Sequence, residues 1–182
     1  NSSSLQKATT LPLAIENNFV DQIEALRDKI FRVTKRLLIS SDEAADATQE
    51  VIIKLWQLDQ NDRKIENMEA YSMTIAKNYC LDRLKSKQAN QLSLVENQVT
   101  KRQTGLERTL DYKNQWEWVN KLINDLPEKE RMVIQLRDIE QYEFDKIAAI
   151  LDVPQGTVRV YLTRARKKIR TQFLKIQQHG LG

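Results

Sequence analysis

The sequence predicts an all-α protein made of two small helical domains joined by a flexible linker, and three observations carry that prediction. Apolar residues recur at spacings of three and four along most of the chain, no strand-like alternation of useful length appears, and a polar stretch at about 88–111 without aromatic residues separates two such periodic segments. The 182 residues suit one ordinary domain or two small ones. With 41% hydrophobic and 30% charged residues, 4 Gly and 3 Pro, the composition excludes collagen-like, elastic and wholly disordered chains.

The chain opens on Asn1-Ser2-Ser3-Ser4, which has neither the charged nor the apolar part of a signal peptide, and residues 1–19 read as an N-terminal extension. No window approaches the roughly 18 uninterrupted apolar residues of a membrane span, so a cytoplasmic location is the expectation. From 20 to about 39, Ile23, Leu26, Ile30, Val33 and Leu37 form one apolar stripe of an amphipathic helix. Ser40-Ser41-Asp42-Glu43 interrupts it and supplies capping residues, with acids where the next helix dipole favours them.

The second helix, about 42–58, places Ala44, Ala47, Val51, Leu55 and Leu58 on a buried stripe. A second stripe, Asp46, Gln49, Glu50, Ile53 and Trp56, combines acids and an amide with two large apolar side chains, which solvent alone would not favour. It reads as a docking surface, against the simpler alternative that Ile53 and Trp56 pack on a neighbouring helix. Residues 59–67 are almost wholly polar and read as a loop. A third helix, about 69–88, carries Met73, Ala76, Cys80 and Leu84 on its apolar side and Lys77, Asn78, Arg83, Lys85 and Lys87 on other faces. Tyr71 and Tyr79 add rings near these cations, a combination suited to stacking on exposed bases.

After the linker the pattern resumes with Trp116, Val119, Leu122 and Ile123, and Leu126-Pro127-Glu128 marks a new helix with Pro in its first turn. Residues 143–170 have the layout of a helix-turn-helix. Phe144, Ile147, Ala148 and Leu151 give a short first helix, and Ala148 is small enough for close helix crossing. Asp152-Val153-Pro154 makes the turn, where Asp tolerates a left-handed backbone and Pro stops the first helix. The second helix, about 155–170, buries Val158, Leu162, Ala165 and Ile169 and presents Arg159, Val160, Thr163, Arg164, Arg166 and Lys167. In such a motif the start of the second helix enters the major groove, where Arg can grip a guanine edge.

Charge agrees with this placement. Residues 153–182 hold seven Arg and Lys and no Asp or Glu, leaving 22 basic and 25 acidic residues in the first 152. A basic block on a slightly acidic body is the footprint of a polyanion-binding element, because each cation set against a phosphate releases counterions. One cysteine and one histidine, Cys80 and His179, exclude an internal disulfide and a zinc site built from several such ligands. Cys80 falls within an apolar helical pattern and reads as core. No catalytic residue, metal, cofactor or small-molecule substrate is expected.

Here the motifs carry a family resemblance. Leu126-Pro127-Glu128-Lys129-Glu130-Arg131, Phe144-Asp145-Lys146-Ile147-Ala148, Gly156-Thr157-Val158-Arg159 and Arg164-Ala165-Arg166-Lys167-Lys168-Ile169 resemble region 4 of bacterial sigma factors. Independently, Asp42 to Val51 followed by Leu55-Trp56 resembles region 2.2, and Ile75-Ala76-Lys77-Asn78 followed by Leu81-Asp82-Arg83-Leu84 resembles region 2.4. With regions 1 and 3 absent, the whole resembles the extracytoplasmic-function (ECF) group over about residues 20–172.

The resemblance implies region 2 at 20–88, a linker at 89–112 and region 4 at 113–182, in an initiation factor that lends promoter recognition to core RNA polymerase. Asp46, Gln49, Glu50, Ile53 and Trp56 would then dock on the polymerase. Asn61, Arg63 and Lys64 of the loop, with Tyr71, Lys77, Asn78 and Arg83, would meet the −10 element, where an extruded base offsets the cost of unstacking. Thr157, Arg159, Val160, Thr163, Arg164, Arg166 and Lys167 would meet the −35 element, the last two on phosphate. The resemblance also implies an anti-sigma partner, which in many relatives is membrane-bound and would hold the protein at the inner membrane.

Three positions depart from the family pattern. Tyr71 and Ser72 stand where an aromatic–Leu pair is common, Val160 stands where Ser often follows and can touch only a thymine methyl, and Asp152 replaces the turn glycine. Promoter sequence therefore does not transfer. A dimeric regulator whose helix-turn-helix resembles that of two-component response regulators explains 143–170 equally well, but neither the stripe at 46–50 nor the basic helix after the polar loop. A nucleic-acid enzyme would need clustered carboxylates, a Gly-rich phosphate loop or a Cys–His pair at suitable spacing.

Overall fold

A computed structural model describes residues 13–59, 65–94 and 112–179, and every element in them is helical. Helices α1 (Leu13–Leu38), α2 (Ser41–Asp59) and α3 (Met68–Leu94) form one bundle. Helices α4 (Tyr112–Asn124), α5 (Glu128–Ile134), α6 (Phe144–Leu151) and α7 (Gln155–His179) form a second, with α5 running on as a π-helical turn, Gln135–Ile139.

The first core is the one the periodicity predicts. Ile23, Ile30, Val33 and Leu37 of α1, Ala47, Val51 and Leu55 of α2, and Met73, Ala76 and Cys80 of α3 are each no more than 1% exposed, whereas Leu26, Leu58 and Leu84 are half-buried. Each large side chain removed from water contributes about 1.5–3 kcal/mol. Two polar residues enter this core satisfied: Thr48 Oγ1 donates to the Ala44 carbonyl at 2.6 Å, and Thr34 Oγ1 lies 3.2 Å from Thr48 Oγ1. Ser40 Oγ accepts from the Glu43 amide and caps α2, as the sequence suggests, while Asn67 Oδ1 accepts from the Ala70 amide at 2.9 Å and caps α3.

In the second bundle Ile147 and Ile150 of α6 meet Val158, Leu162 and Ala165 of α7 over Met132, Val133 and Leu136. Asp152 takes the left-handed conformation expected of it, φ 55° and ψ 52°, and the Val153 amide closes the turn on the Ala148 carbonyl at 3.1 Å.

Several boundaries differ from the sequence reading. Helix α1 begins at Leu13, inside the stretch read as an extension, and α3 continues through 89–94, read as linker. Residues 85–90 are exposed all round, so this part of α3 is a solvated helix whose polar composition mimics a loop. Helix α7 runs to His179 rather than 170, and Pro127 stands just before α5 with an extended ψ of 145° rather than within its first turn. Trp116, counted with the apolar pattern of α4, is 61% exposed. The remaining part of the expected linker lies outside the described residues.

The two bundles share one apolar cluster and are joined besides by polar side chains. Arg36 of α1 donates to Gln135 Oε1 at 2.9 Å, Asn124 Oδ1 at 2.8 Å and Asn120 Oδ1 at 2.8 Å. One turn away, Arg32 forms a two-pronged bond to Glu140 at 2.8 Å on each oxygen, and Gln135 Nε2 ties the two sites together by donating to Glu140 Oε1. The π-turn is what aligns Gln135 and Glu140, since the Glu140 amide bonds the Gln135 carbonyl at 2.9 Å. Positive φ at Ile39 (66°) and Gln141 (61°) flanks this contact, and conformations of that kind persist only where neighbouring structure fixes them.

On the other side Tyr142 donates to Glu69 Oε1 at 2.8 Å, and Lys29 of α1 also bonds that carboxylate. Partial burial pushes the Glu69 carboxyl up, but the hydrogen bonds from Lys29 and Tyr142 outweigh it and hold the group below its usual range. A depressed folded-state value contributes stability above the unfolded-state value, and that contribution disappears as pH falls through the folded-state value. Acidification below about pH 4.3, the ordinary Glu value, is therefore expected to lower the urea midpoint of the wild type more than that of Glu69→Gln.

Candidate nucleic-acid interface

Three surfaces follow from these helices. On α2, Asp46, Gln49 and Glu50 are exposed, Ile53 is 47% exposed and Trp56 is 38% exposed. Trp56 meets Phe19 edge-on at 5.4 Å between ring centroids, so it packs in part on α1, yet neither it nor Ile53 is enclosed. For Trp56 the simpler alternative of packing on a neighbouring helix is met in part, and both side chains keep exposed surface. Here an acid–amide row one turn from two apolar side chains faces solvent.

The second surface lies between α2 and α3. An open cleft of about 810 Å³ is lined by Lys54, Gln57, Tyr71, Asn78, Tyr79 and Asp82 among others. Lys54 sits over the Tyr79 ring at 5.3 Å, and Tyr71 is 37% exposed, so rings, a cation and an amide converge on a space that would admit a nucleobase. Tyr71 and Asn78 of the sequence assignment are brought together here. Asn61, Arg63 and Lys64 lie outside the described residues. Arg83 points to Glu43 at 3.8 Å, a carboxylate that Lys87 also bonds, and so ties α3 to α2. Lys77 donates to the Ile150 carbonyl of α6 at 2.8 Å, and burial lowers its pKa with Asp152 partly opposing.

The third surface is the outer face of α7. Arg159, Val160, Thr163, Arg164 and Lys167 are exposed, and Thr157 is half-buried at the start of the helix. Arg159 stacks on Phe144 at 4.2 Å, with Arg137 over the same ring at 4.7 Å, so the first residue expected to read bases is held by an aromatic that sequence reasoning placed in the core. Arg166 pairs with Asp138 at 3.1 and 2.5 Å, and this pairing holds its pKa above the ordinary value. It is therefore the least available of the predicted phosphate contacts. Arg32, Arg36, Gln135 and Glu140 were not singled out by sequence reasoning. A signal existed in Arg32/Arg36 and Asn120/Asn124, each spaced four apart on one helix face.

Two helical bundles that carry an exposed acid–amide row, an open cleft beside a basic helix and a cationic face on the second helix of a helix-turn-helix have the layout of a nucleic-acid-binding protein. Residues 22–90 match the Sigma-70 region 2 family and residues 116–169 the Sigma-70, region 4 family. The chain is 27% identical over 172 residues to the ECF RNA polymerase sigma factor SigW of Bacillus subtilis (strain 168), covering 87% of this chain and 90% of that one. A shorter likeness, 47% over 51 residues, links it to the ECF RNA polymerase sigma-E factor of Escherichia coli (strain K12), covering 28% and 27% of the two chains.

In fold it is similar to the sigma factor RpoE in complex with the anti-sigma factor NepR from Bartonella quintana, with TM-score 0.70, 19% identity and coverage of 87% and 97%. It is also similar to CnrH in complex with the cytosolic domain of CnrY, with TM-score 0.62, 18% identity and coverage of 86% and 88%. The chain belongs to the sigma-70 family as an ECF RNA polymerase sigma factor. The region 2 match accounts for the N-terminal half that the response-regulator reading left unexplained, so that reading is not favoured.

Proposed function

We propose that this sigma factor docks on core RNA polymerase through Asp46, Gln49 and Glu50, with Ile53 and Trp56 as apolar support. It reads the −10 element with the α2–α3 cleft and the −35 element with α7. The observation that carries the proposal is the separation of the three surfaces, one on α2, one between α2 and α3 and one on α7, each of the chemistry its role needs. In the cleft, Tyr71 stacks on an unpaired base and Asn78 meets its edge, which offsets the cost of extruding it. On α7, Arg159 and Arg164 read bases, Thr163 and the Thr157 end of the helix contribute polar contacts, Val160 touches a thymine methyl, and Lys167 with Arg166 holds phosphate. The chain supplies recognition, and catalysis belongs to the polymerase.

An anti-sigma partner is part of this proposal. Of the solved structures above, RpoE is in complex with the anti-sigma factor NepR and CnrH with the cytosolic domain of CnrY, and in this chain Ile53, Trp56, Trp116 and Val160 offer apolar surface for a partner to cover. Among the described residues no helix is long and apolar enough to cross a membrane. Attachment at the inner membrane through that partner is part of the same proposal.

The test is transcription by core polymerase plus this chain from a library of randomised promoter fragments. Initiating fragments are expected to share two short blocks. Arg159→Ala and Arg164→Ala should each relax preference at one or two bases of the upstream block by about 1–3 kcal/mol while leaving the downstream block unchanged. Unaltered preference in both variants would remove α7 as the −35 reader.

A further inference from the structure

The cations of the second bundle are not equally free to meet DNA. Arg166 commits the in-plane N–H groups of its guanidinium to Asp138, and Lys168 donates to both oxygens of Glu130 at 3.0 and 2.8 Å. Arg137, from the π-turn, donates to the Tyr142 carbonyl at 2.8 Å and pairs with Glu143 at 3.3 Å. Arg159 is held differently. Its guanidinium lies 4.2 Å from the centre of the Phe144 ring, and among the described residues no carboxylate or carbonyl binds it. Stacking uses the flat face of a guanidinium and leaves free the N–H groups around its edge, which are the groups that grip a guanine bidentately.

The ring is itself fixed. Phe144 opens α6 and is half-buried against the apolar cluster, so it joins the first helix of the helix-turn-helix to the second. Arg137 lies over the same ring at 4.7 Å, and its bonds to Tyr142 and Glu143 pin the two residues that lead into it. Arg159 stands near the N-terminal end of α7, the end that enters the major groove in such motifs. An Arg side chain loses rotamer freedom when a base orders it, and that cost arises only with the base it prefers. A ring that already holds the guanidinium lowers the cost and so widens the gap between the preferred base and the others.

We infer that Phe144 is a positioning residue for −35 readout: its ring backs Arg159 and presents the guanidinium edge to a base. Arg137 supports it by fixing the 142–144 segment. The inference rests on the base-reading role proposed above for Arg159 and adds what sets the sharpness of that reading.

The test repeats the selection from randomised promoter fragments by core polymerase, with the full chain carrying Phe144→Leu, Phe144→Tyr, Arg159→Ala or Phe144→Leu/Arg159→Ala. Helicity and urea midpoint are measured for each. Where Phe144→Leu lowers the midpoint, Phe144→Met, which fills the space without a ring, takes its place.

At the base that Arg159→Ala relaxes, Phe144→Leu should reduce preference about 2- to 10-fold, the range for immobilising one long side chain, and every other base of both blocks should keep its preference. Phe144→Tyr retains the ring face and should stay within about twofold of wild type. The double variant should match Arg159→Ala alone at that base. An even loss over the whole upstream block, an equal loss in Phe144→Tyr, or a further loss in the double variant would each overturn the inference. If Arg159→Ala relaxes a base that Phe144→Leu leaves intact, the positioning role alone falls. If Arg159→Ala relaxes no base, the base-reading role falls and takes the inference with it.

Discussion

Replacing Arg164 and Lys167 together with alanine is expected to weaken binding of the region 4 bundle to duplex DNA about 10- to 100-fold near 0.15 M salt. It should also reduce the slope of log affinity against log salt by about 1, the share of Lys167, because Arg164 is placed on a base edge. Both side chains are exposed on α7 with no acid on that helix, so Lys167 is free to neutralise a phosphate and Arg164 to meet a base. Arg166→Ala should change the slope less than Lys167→Ala, because its guanidinium is already committed to Asp138 and must leave that pair before it can meet DNA. Salt titrations of the full chain check this, and equal slope changes from Arg166→Ala and Lys167→Ala would mean that the Asp138 pair does not persist in solution.

The second large effect concerns stability. Leu55→Ala removes a side chain with no exposed surface from the centre of α2, where it packs with the cores of α1 and α3. Such a substitution costs about 2–5 kcal/mol, against a total stability of about 5–15 kcal/mol for a domain. Ile53→Ala, two residues earlier on the same helix, should stay within about 0.5 kcal/mol because its side chain is already 47% exposed. Urea unfolding of the two variants separates them. A cost at Ile53 equal to that at Leu55 would place Ile53 in the core and remove it from the docking row.

The helices were legible because burial imposes a period that survives in the sequence. Val33, Leu37, Val51, Leu55, Met73 and Cys80 all face inward where their spacing puts them. The turn of the helix-turn-helix was legible for a local reason, since Asp152 tolerates a left-handed backbone that Pro154 then makes final. Helix ends were less so. Residues 85–90 of α3 gain their helicity by continuing an established helix, not by burying a stripe, and they leave no periodic mark.

The polar contact between the bundles left only the four-residue spacing of Arg32/Arg36 and Asn120/Asn124 in the sequence. It depends on a π-turn that offers Gln135 and Glu140 to two arginines about a hundred residues earlier, and no local pattern encodes which groups pair. For the same reason Lys77, read as a DNA contact from the basic character of α3, was not expected to rest on an α6 carbonyl. Of the candidate site, the exposure of the α2 row and of the α7 face was legible because each is a stripe on one helix. The cleft needed two helices, and the pairing of Arg83 with Glu43 and of Arg166 with Asp138 needed the fold.

The measurement that bears most directly on the central assignment is co-elution of this chain with purified bacterial core RNA polymerase on size exclusion. Wild type is compared with an Asp46→Ala, Gln49→Ala, Glu50→Ala variant of unchanged helicity. All three side chains are exposed and none contributes to the core, so the variant should fold. The expected result is that wild type travels with the polymerase and the variant does not. Wild type that binds duplex DNA as a dimer and never associates with core, or a variant that associates as well as wild type, would contradict the assignment of the α2 row as the polymerase-docking surface.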